Sequence, residues 1–143
     1  MSKSLITQDL KARVSSVLNR DTKQFGKKFM FDGNDETCWN SDEGSPQWVK
    51  LDFPSAVCIS SICVQFQGGF VGKVCTLEGQ LTGTEEFQLL TECYPEDSNA
   101  LQKFAVDAFK TVQRVKITFK ESTDFFGRVT IYKLDILGDW SSC

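Results

Sequence analysis

The chain has no histidine. That absence removes Ser-His-Asp and Cys-His nucleophilic sites, histidine-ligated zinc and imidazole acid–base transfer together. No motif of paired carboxylates points to hydrolysis, so no catalytic residue is expected. Cysteines stand at 38, 58, 63, 75, 93 and 143. None has the C-x-x-C spacing of a zinc ribbon or a dithiol redox site. With no imidazole, a thiolate here would need a nearby Lys, Arg or helix N-terminus to activate it. Asp32, Asn34 and Thr37 hold side-chain oxygens close in sequence, which suits a hard cation such as calcium. The same residue types also bond their own turn's amides. The turn is the expectation, because calcium takes about six or more oxygens. Neither metal nor cofactor is expected. Phe70 follows Gly68-Gly69, and Phe125-Phe126 precede Gly127-Arg128; aromatics mixed with arginine are the residue types of interface hot spots. Trp39 and Trp48 flank apolar strands and are expected in the core, rather than as exposed sugar platforms.

The elements that position these residues are short strands. Val49, Leu51 and Phe53 alternate with Lys50 and Asp52. Ile62, Val64 and Phe66 alternate with Cys63 and Gln65, and Val115, Ile117 and Phe119 alternate with Lys116 and Thr118. Cys75, Leu77 and Leu81 share one parity. Each is a period-2 pattern with one buried face. Turn clusters at 42–46, 67–69 and 95–99 separate them, and no long helical period with caps appears. The pattern predicts an antiparallel sandwich or barrel. Between Val129 and Leu137 the apolar parity changes, which predicts a β-bulge near Tyr132 or burial of both faces.

At 143 residues, 41% hydrophobic and 24% charged, the chain suits a single domain, 1–143, with a flexible C-terminal tail at 139–143. The net charge of −3 argues against direct nucleic-acid binding. Residues 1–30 carry seven basic and two acidic side chains, and residues 31–45 carry five acidic and none basic. The opening residues lack an apolar run of the kind a secretion signal needs, no membrane span is found, and no Asn-x-Ser/Thr acceptor occurs. These features lead to the expectation of a reducing compartment with all cysteines as free thiols.

Two runs are specific. Phe31-Asp32-Gly33-Asn34-Asp35-Glu36-Thr37-Cys38-Trp39-Asn40-Ser41 and Pro46-Gln47-Trp48-Val49-Lys50-Leu51-Asp52-Phe53 resemble the discoidin, or F5/8 type C, family. Tyr132-Lys133-Leu134-Asp135-Ile136-Leu137-Gly138 is similar to that family's closing strand. The resemblance implies an all-β fold, an eight-stranded antiparallel jelly-roll β-sandwich of the galactose-binding-like type. Several such domains bind calcium at the acidic turn with help from an acidic residue on the last strand, where this chain has Lys133. The runs at 14–20, 24–28, 65–70 and 123–129 further resemble a branch of small nuclear-receptor-associated repressors. That likeness implies a non-catalytic protein-binding module, probing an orphan nuclear receptor as partner, in the nucleus and also the cytoplasm. It is expected to act as a monomer that touches neither nucleic acid nor membrane. The alternative implied by the fold family is a carbohydrate-binding module. In such domains three loops gather at one end as the ligand face. That placement would join Arg20, Lys23, Phe25, Lys27 and Lys28 to Phe70, Lys73, Phe125, Phe126 and Arg128.

Overall fold

The computed structural model describes residues 3–81 and 83–140. In chain order the strands are β1 (Lys3–Ser4), β2 (Lys11–Val14), β3 (Trp39–Asn40), β4 (Gln47–Phe66), β5 (Gly72–Leu81), β6 (Phe87–Cys93), β7 (Leu101–Ala105), β8 (Thr111–Ser122) and β9 (Thr130–Asp139). A four-residue helix, α1 (Thr22–Phe25), and two 3₁₀ turns, Leu18–Arg20 and Lys27–Met30, fill the connection between β2 and β3. The long β4 is the hinge of the fold. Its first half, Gln47–Asp52, pairs antiparallel with β8 on one side, and β2 pairs with it over Val49–Asp52. Its second half pairs with β9 and β7. The ladder to β8 is interrupted between Asp52 and Val57, the stretch that holds Pro54. Proline lacks an amide donor and fits a strand only where the ladder breaks. β4 thus passes from one layer of the sandwich, β2-β4-β8-β5-β6, to the other, β1-β9-β4-β7.

The alternation forecast for the core holds residue by residue. Val49, Leu51, Phe53, Ile62, Val64, Phe66, Val115, Ile117 and Phe119 are all buried. Phe66 and Phe119 meet edge to face at 5.7 Å, and each fully buried side chain of this size contributes about 1.5–3 kcal/mol. The parity change in β9 is a bulge. Lys133 faces Gln65 while Ile131 faces the next residue, Phe66, so Tyr132 is the extra residue. Cys75 is buried and Cys63 half-buried, as their strand parities require.

Three expectations are corrected. Trp39 is fully buried, its indole N–H donating to the Ser16 carbonyl at 2.9 Å, but Trp48 is not core. Being next to inward-facing Val49, it points out of the sheet, half-exposed, with Lys50 Nζ 4.8 Å and Lys116 Nζ 5.6 Å from its ring. The tail does not begin at 139. Asp139 pairs with Cys58 at the end of β9, and Trp140 packs edge-on against Phe53 at 6.3 Å; residues 141–143 lie outside the described residues. Cys58 is disulfide-bonded, whereas Cys38, Cys63, Cys75 and Cys93 are free thiols. Which thiols can meet is decided by strand placement, and no local spacing reveals it.

Candidate functional site

The loop from β8 to β9 is built around Asp124. Ser122 Oγ accepts the Asp124 amide at 3.0 Å and donates to the Arg128 carbonyl at 2.6 Å, closing the loop neck. The Asp124 carboxylate accepts from the Arg128 amide at 3.1 Å, from Nε at 2.9 Å and from Nη2 at 3.3 Å. A forked guanidinium matched to a carboxylate fixes orientation as well as charge. The Arg128 hydrogen bonds hold the Asp124 carboxyl below its ordinary range, and Asp124 in turn raises Arg128. Gly127 has φ +84°, and a Cβ there would lie 2.7 Å from the Gly44 carbonyl carbon. Only glycine suits both the left-handed backbone and that approach.

Neighbouring loops lock onto this frame. The Gly44 amide donates to the Phe126 carbonyl at 2.7 Å, and the Val129 amide to Ser41 Oγ at 2.8 Å. The Thr130 amide bonds the Phe70 carbonyl at 3.1 Å, and the Val71 amide bonds Thr123 Oγ1 at 3.0 Å. The Asn99 side-chain amide oxygen accepts the Gly68 amide and the Asp97 carboxylate accepts the Gly69 amide, both at 2.7 Å. On this frame the Arg128 guanidinium lies 5.2 Å from the Phe70 ring and 5.5 Å from the Phe126 ring. Phe125 stacks edge-on against Phe126 at 5.3 Å yet is 93% exposed. Phe125, Phe126 and Lys73 line a cleft of about 410 Å³ with Gly44 and Glu121. An exposed aromatic pair on a rigid loop beside an arginine is equipped for recognition.

Of the residues expected at one end, one group shares ring contacts and a cleft. Phe70, Lys73, Phe125, Phe126 and Arg128 come together. Lys27 and Lys28 line another cleft, of about 500 Å³, with Arg13, Val17 and Thr22. Arg20, Lys23 and Phe25 line neither cleft. No hydrogen bond, ion pair or ring contact among the described residues joins residues 20–28 to the Phe70–Arg128 group. Asn19 and Arg20, at φ 53° and 57°, turn the chain in the left-handed region there, and α1 follows with Asp21 capping the Gln24 amide at 3.1 Å.

The acidic turn is a hydrogen-bonded one. Asp32 accepts the Asn34 amide at 3.0 Å and the Thr37 hydroxyl at 2.5 Å, and Asn34 Oδ1 accepts the Glu36 amide at 2.9 Å. Lys133 reaches this turn and pairs with Asp35 at 2.8 Å. These side chains do not fit calcium: both Asp32 oxygens are engaged by donors of their own turn, and an ammonium sits where a divalent ion would need negative charge.

The F5/8 type C domain model matches residues 11–133. The chain belongs to the F5/8 type C family. Within it, the chain is 57% identical to the "Nuclear receptor 2C2-associated protein" of Danio rerio over 139 residues, covering 97% of this chain and 98% of the relative. Its identity to the Homo sapiens protein of the same name is 51% over 139 residues, covering 97% and 99%. Among solved F5/8 type C-like folds, it is similar to the family 32 carbohydrate-binding module of C. perfringens NanJ in complex with galactose, with TM-score 0.79, 19% identity and coverage of 96% and 99%. An F5/8 type C domain from Bacteroides fragilis gives TM-score 0.82 at 12% identity, covering 98% of each chain. These solved neighbours establish the galactose-binding-like jelly roll.

Proposed function

We propose that this F5/8 type C domain is a protein-binding module without catalytic activity that associates with an orphan nuclear receptor of the 2C2 kind and represses transcription driven by it. The observation that carries this reading is the 51–57% identity, over nearly the full length, to proteins named for that association. The module works in the nucleus, is also present in the cytoplasm, acts as a monomer, and touches the receptor protein rather than DNA or membrane. The loop end holds the receptor: Phe125 and Phe126 are the apolar anchors, and Phe70 with Arg128 forms the floor and charge beside them. Arg20, Lys23, Phe25 and Lys27 on the β2–β3 connection supply further basic and aromatic contacts to the same partner. Repression follows where the module covers a surface the receptor needs for dimerisation, DNA or coactivator contact.

The test is titration of the full chain against separately purified DNA-binding and ligand-binding domains of the receptor. Saturable binding to one of them is expected, and binding to neither overturns the reading. A carbohydrate-binding role rests on neighbours at 19–20% identity, a likeness of fold alone. A glycan array carrying galactosides tests it, with no retained sugar expected.

A further inference from the structure

The outer face of the layer β2-β4-β8-β5-β6 carries a charge arrangement that its own fold does not need. Strand register places residues of five strands in two parallel rungs. One rung runs Lys11, Asp52, Arg114, Gln80, Phe87. The next, two residues along each strand, runs Arg13, Lys50, Lys116, Glu78, Leu89. Asp52 is paired with Arg114 at 3.3 Å. Lys11, Arg13, Lys50 and Lys116 form no ion pair among the described residues. Three cations, Arg13, Lys50 and Lys116, face one another directly across neighbouring strands, and like charges so placed destabilise a sheet. Five cations against two carboxylates occupy these rungs in a chain whose net charge is −3. The face is also a groove: Lys11, Arg13, Lys50, Asp52, Arg114 and Phe87 line a cleft of about 390 Å³. Its far side is apolar, with Phe87 38% and Leu89 55% exposed on the sheet's edge strand β6. Half-exposed Trp48 lies at its end, beneath Lys50 and Lys116.

We infer that this groove binds an acidic polypeptide segment bearing bulky apolar side chains. Carboxylates would sit among Lys11, Arg13, Lys50 and Lys116 and relieve their mutual repulsion. Adjacent strands are about 4.8 Å apart and same-face residues about 6.7 Å apart, so the cations form a lattice wide enough for several carboxylates rather than one small anion. Phe87 and Leu89 take the segment's apolar side chains, which a nucleic-acid backbone does not offer. The site is remote in kind from the loop end, using sheet faces and strand register, and stands whether or not the receptor docks there.

The experiment measures fluorescence anisotropy of a labelled twelve-residue peptide of Glu with two Phe, its Glu→Gln counterpart, and a twelve-nucleotide single-stranded DNA. Wild-type protein should bind the acidic peptide at least about tenfold more tightly than the Gln peptide, with affinity falling as salt rises. Lys50→Gln with Lys116→Gln should weaken that binding about tenfold or more while the melting temperature holds or rises, because the repelling rung is removed. Phe87→Ala should weaken it further, whereas Phe125→Ala and Lys103→Gln should leave it unchanged. Equal binding of the Glu and Gln peptides, tighter binding of the DNA, or a Lys50→Gln/Lys116→Gln protein that is folded and binds as wild type would overturn the assignment. Concentration-dependent self-association abolished by the same double variant would do so too, by making a second copy the occupant.

Discussion

Phe125→Ala separates a docking residue from a folding residue more cleanly than any other change at the loop end. The ring is 93% exposed, so its removal takes almost nothing from the folded state. A surface change of this kind stays within about 0.5 kcal/mol, equivalent to a melting shift of no more than about 2 °C in a domain of this size. On a receptor surface the same ring is worth much more. A phenylalanine covers about 150–250 Å², and about 100 Å² of that is lost on truncation to Ala, which at about 25 cal/mol per Å² gives about 2.5 kcal/mol. Alanine scans place central aromatic anchors at about 2 kcal/mol or more, in agreement, and 2 kcal/mol is about a 30-fold weaker Kd. Titration calorimetry against the receptor domain should show that loss with a less negative heat-capacity change, since less apolar surface is covered. Lys103→Ala, exposed on the outer side of β7, serves as the control. If Phe125→Ala melts like wild type and binds the receptor as tightly as the Lys103 control, the loop end is not the interface.

Four further outcomes follow from the same geometry. Gly127→Ala should lower stability by about 1–3 kcal/mol, because φ +84° and the nearby Gly44 backbone both oppose a side chain; an unchanged melting curve would show the loop relaxes freely. Lys133→Glu breaks only an exposed pair, its side chains 40% and 79% accessible, so the expected loss is no more than about 1 kcal/mol, with no melting-temperature gain from millimolar calcium. Asp124 has a folded carboxyl below its ordinary range through Arg128; its stabilisation is complete above the unfolded carboxylate value and is lost as pH falls through the depressed folded one. Asp124→Asn should therefore flatten the acid limb of a stability-against-pH curve, and an unaltered limb would remove Asp124 from it. With a thiol reagent under native conditions, half-buried Cys63 should react before Cys75, which is buried and whose thiol is pushed well above its usual value by its hydrogen bond to Cys93 and by burial; first labelling at Cys75 would contradict the β5 register.

Local pattern was enough to place the strands and to choose their inner faces, because a side chain's side of a strand alternates with residue number and nothing else. Val49, Leu51 and Phe53 were legible on that rule, as was the bulge at Tyr132, where the rule fails within one strand. Residue types likewise limited the chemistry: without histidine, imidazole acid–base transfer and histidine-activated nucleophiles are excluded. The acidic turn was legible as a turn because its hydrogen bonds span five residues or fewer. Partners distant in sequence were decided only by the tertiary structure. Lys133 pairs with Asp35 across about a hundred residues, and Cys58 is drawn into a disulfide. Arg20 and Lys23 stand on the short turns of the β2–β3 connection, and neither lines the cleft beside Phe125. Trp48 shows the limit most plainly: its bulk argues for burial, but its position beside inward-facing Val49 sends it outward. The alignment of Arg13, Lys50 and Lys116 depends on the register of three strands separated by dozens of residues. Register is set by long-range pairing of the buried faces, so the charge row appears only once the sheet is assembled.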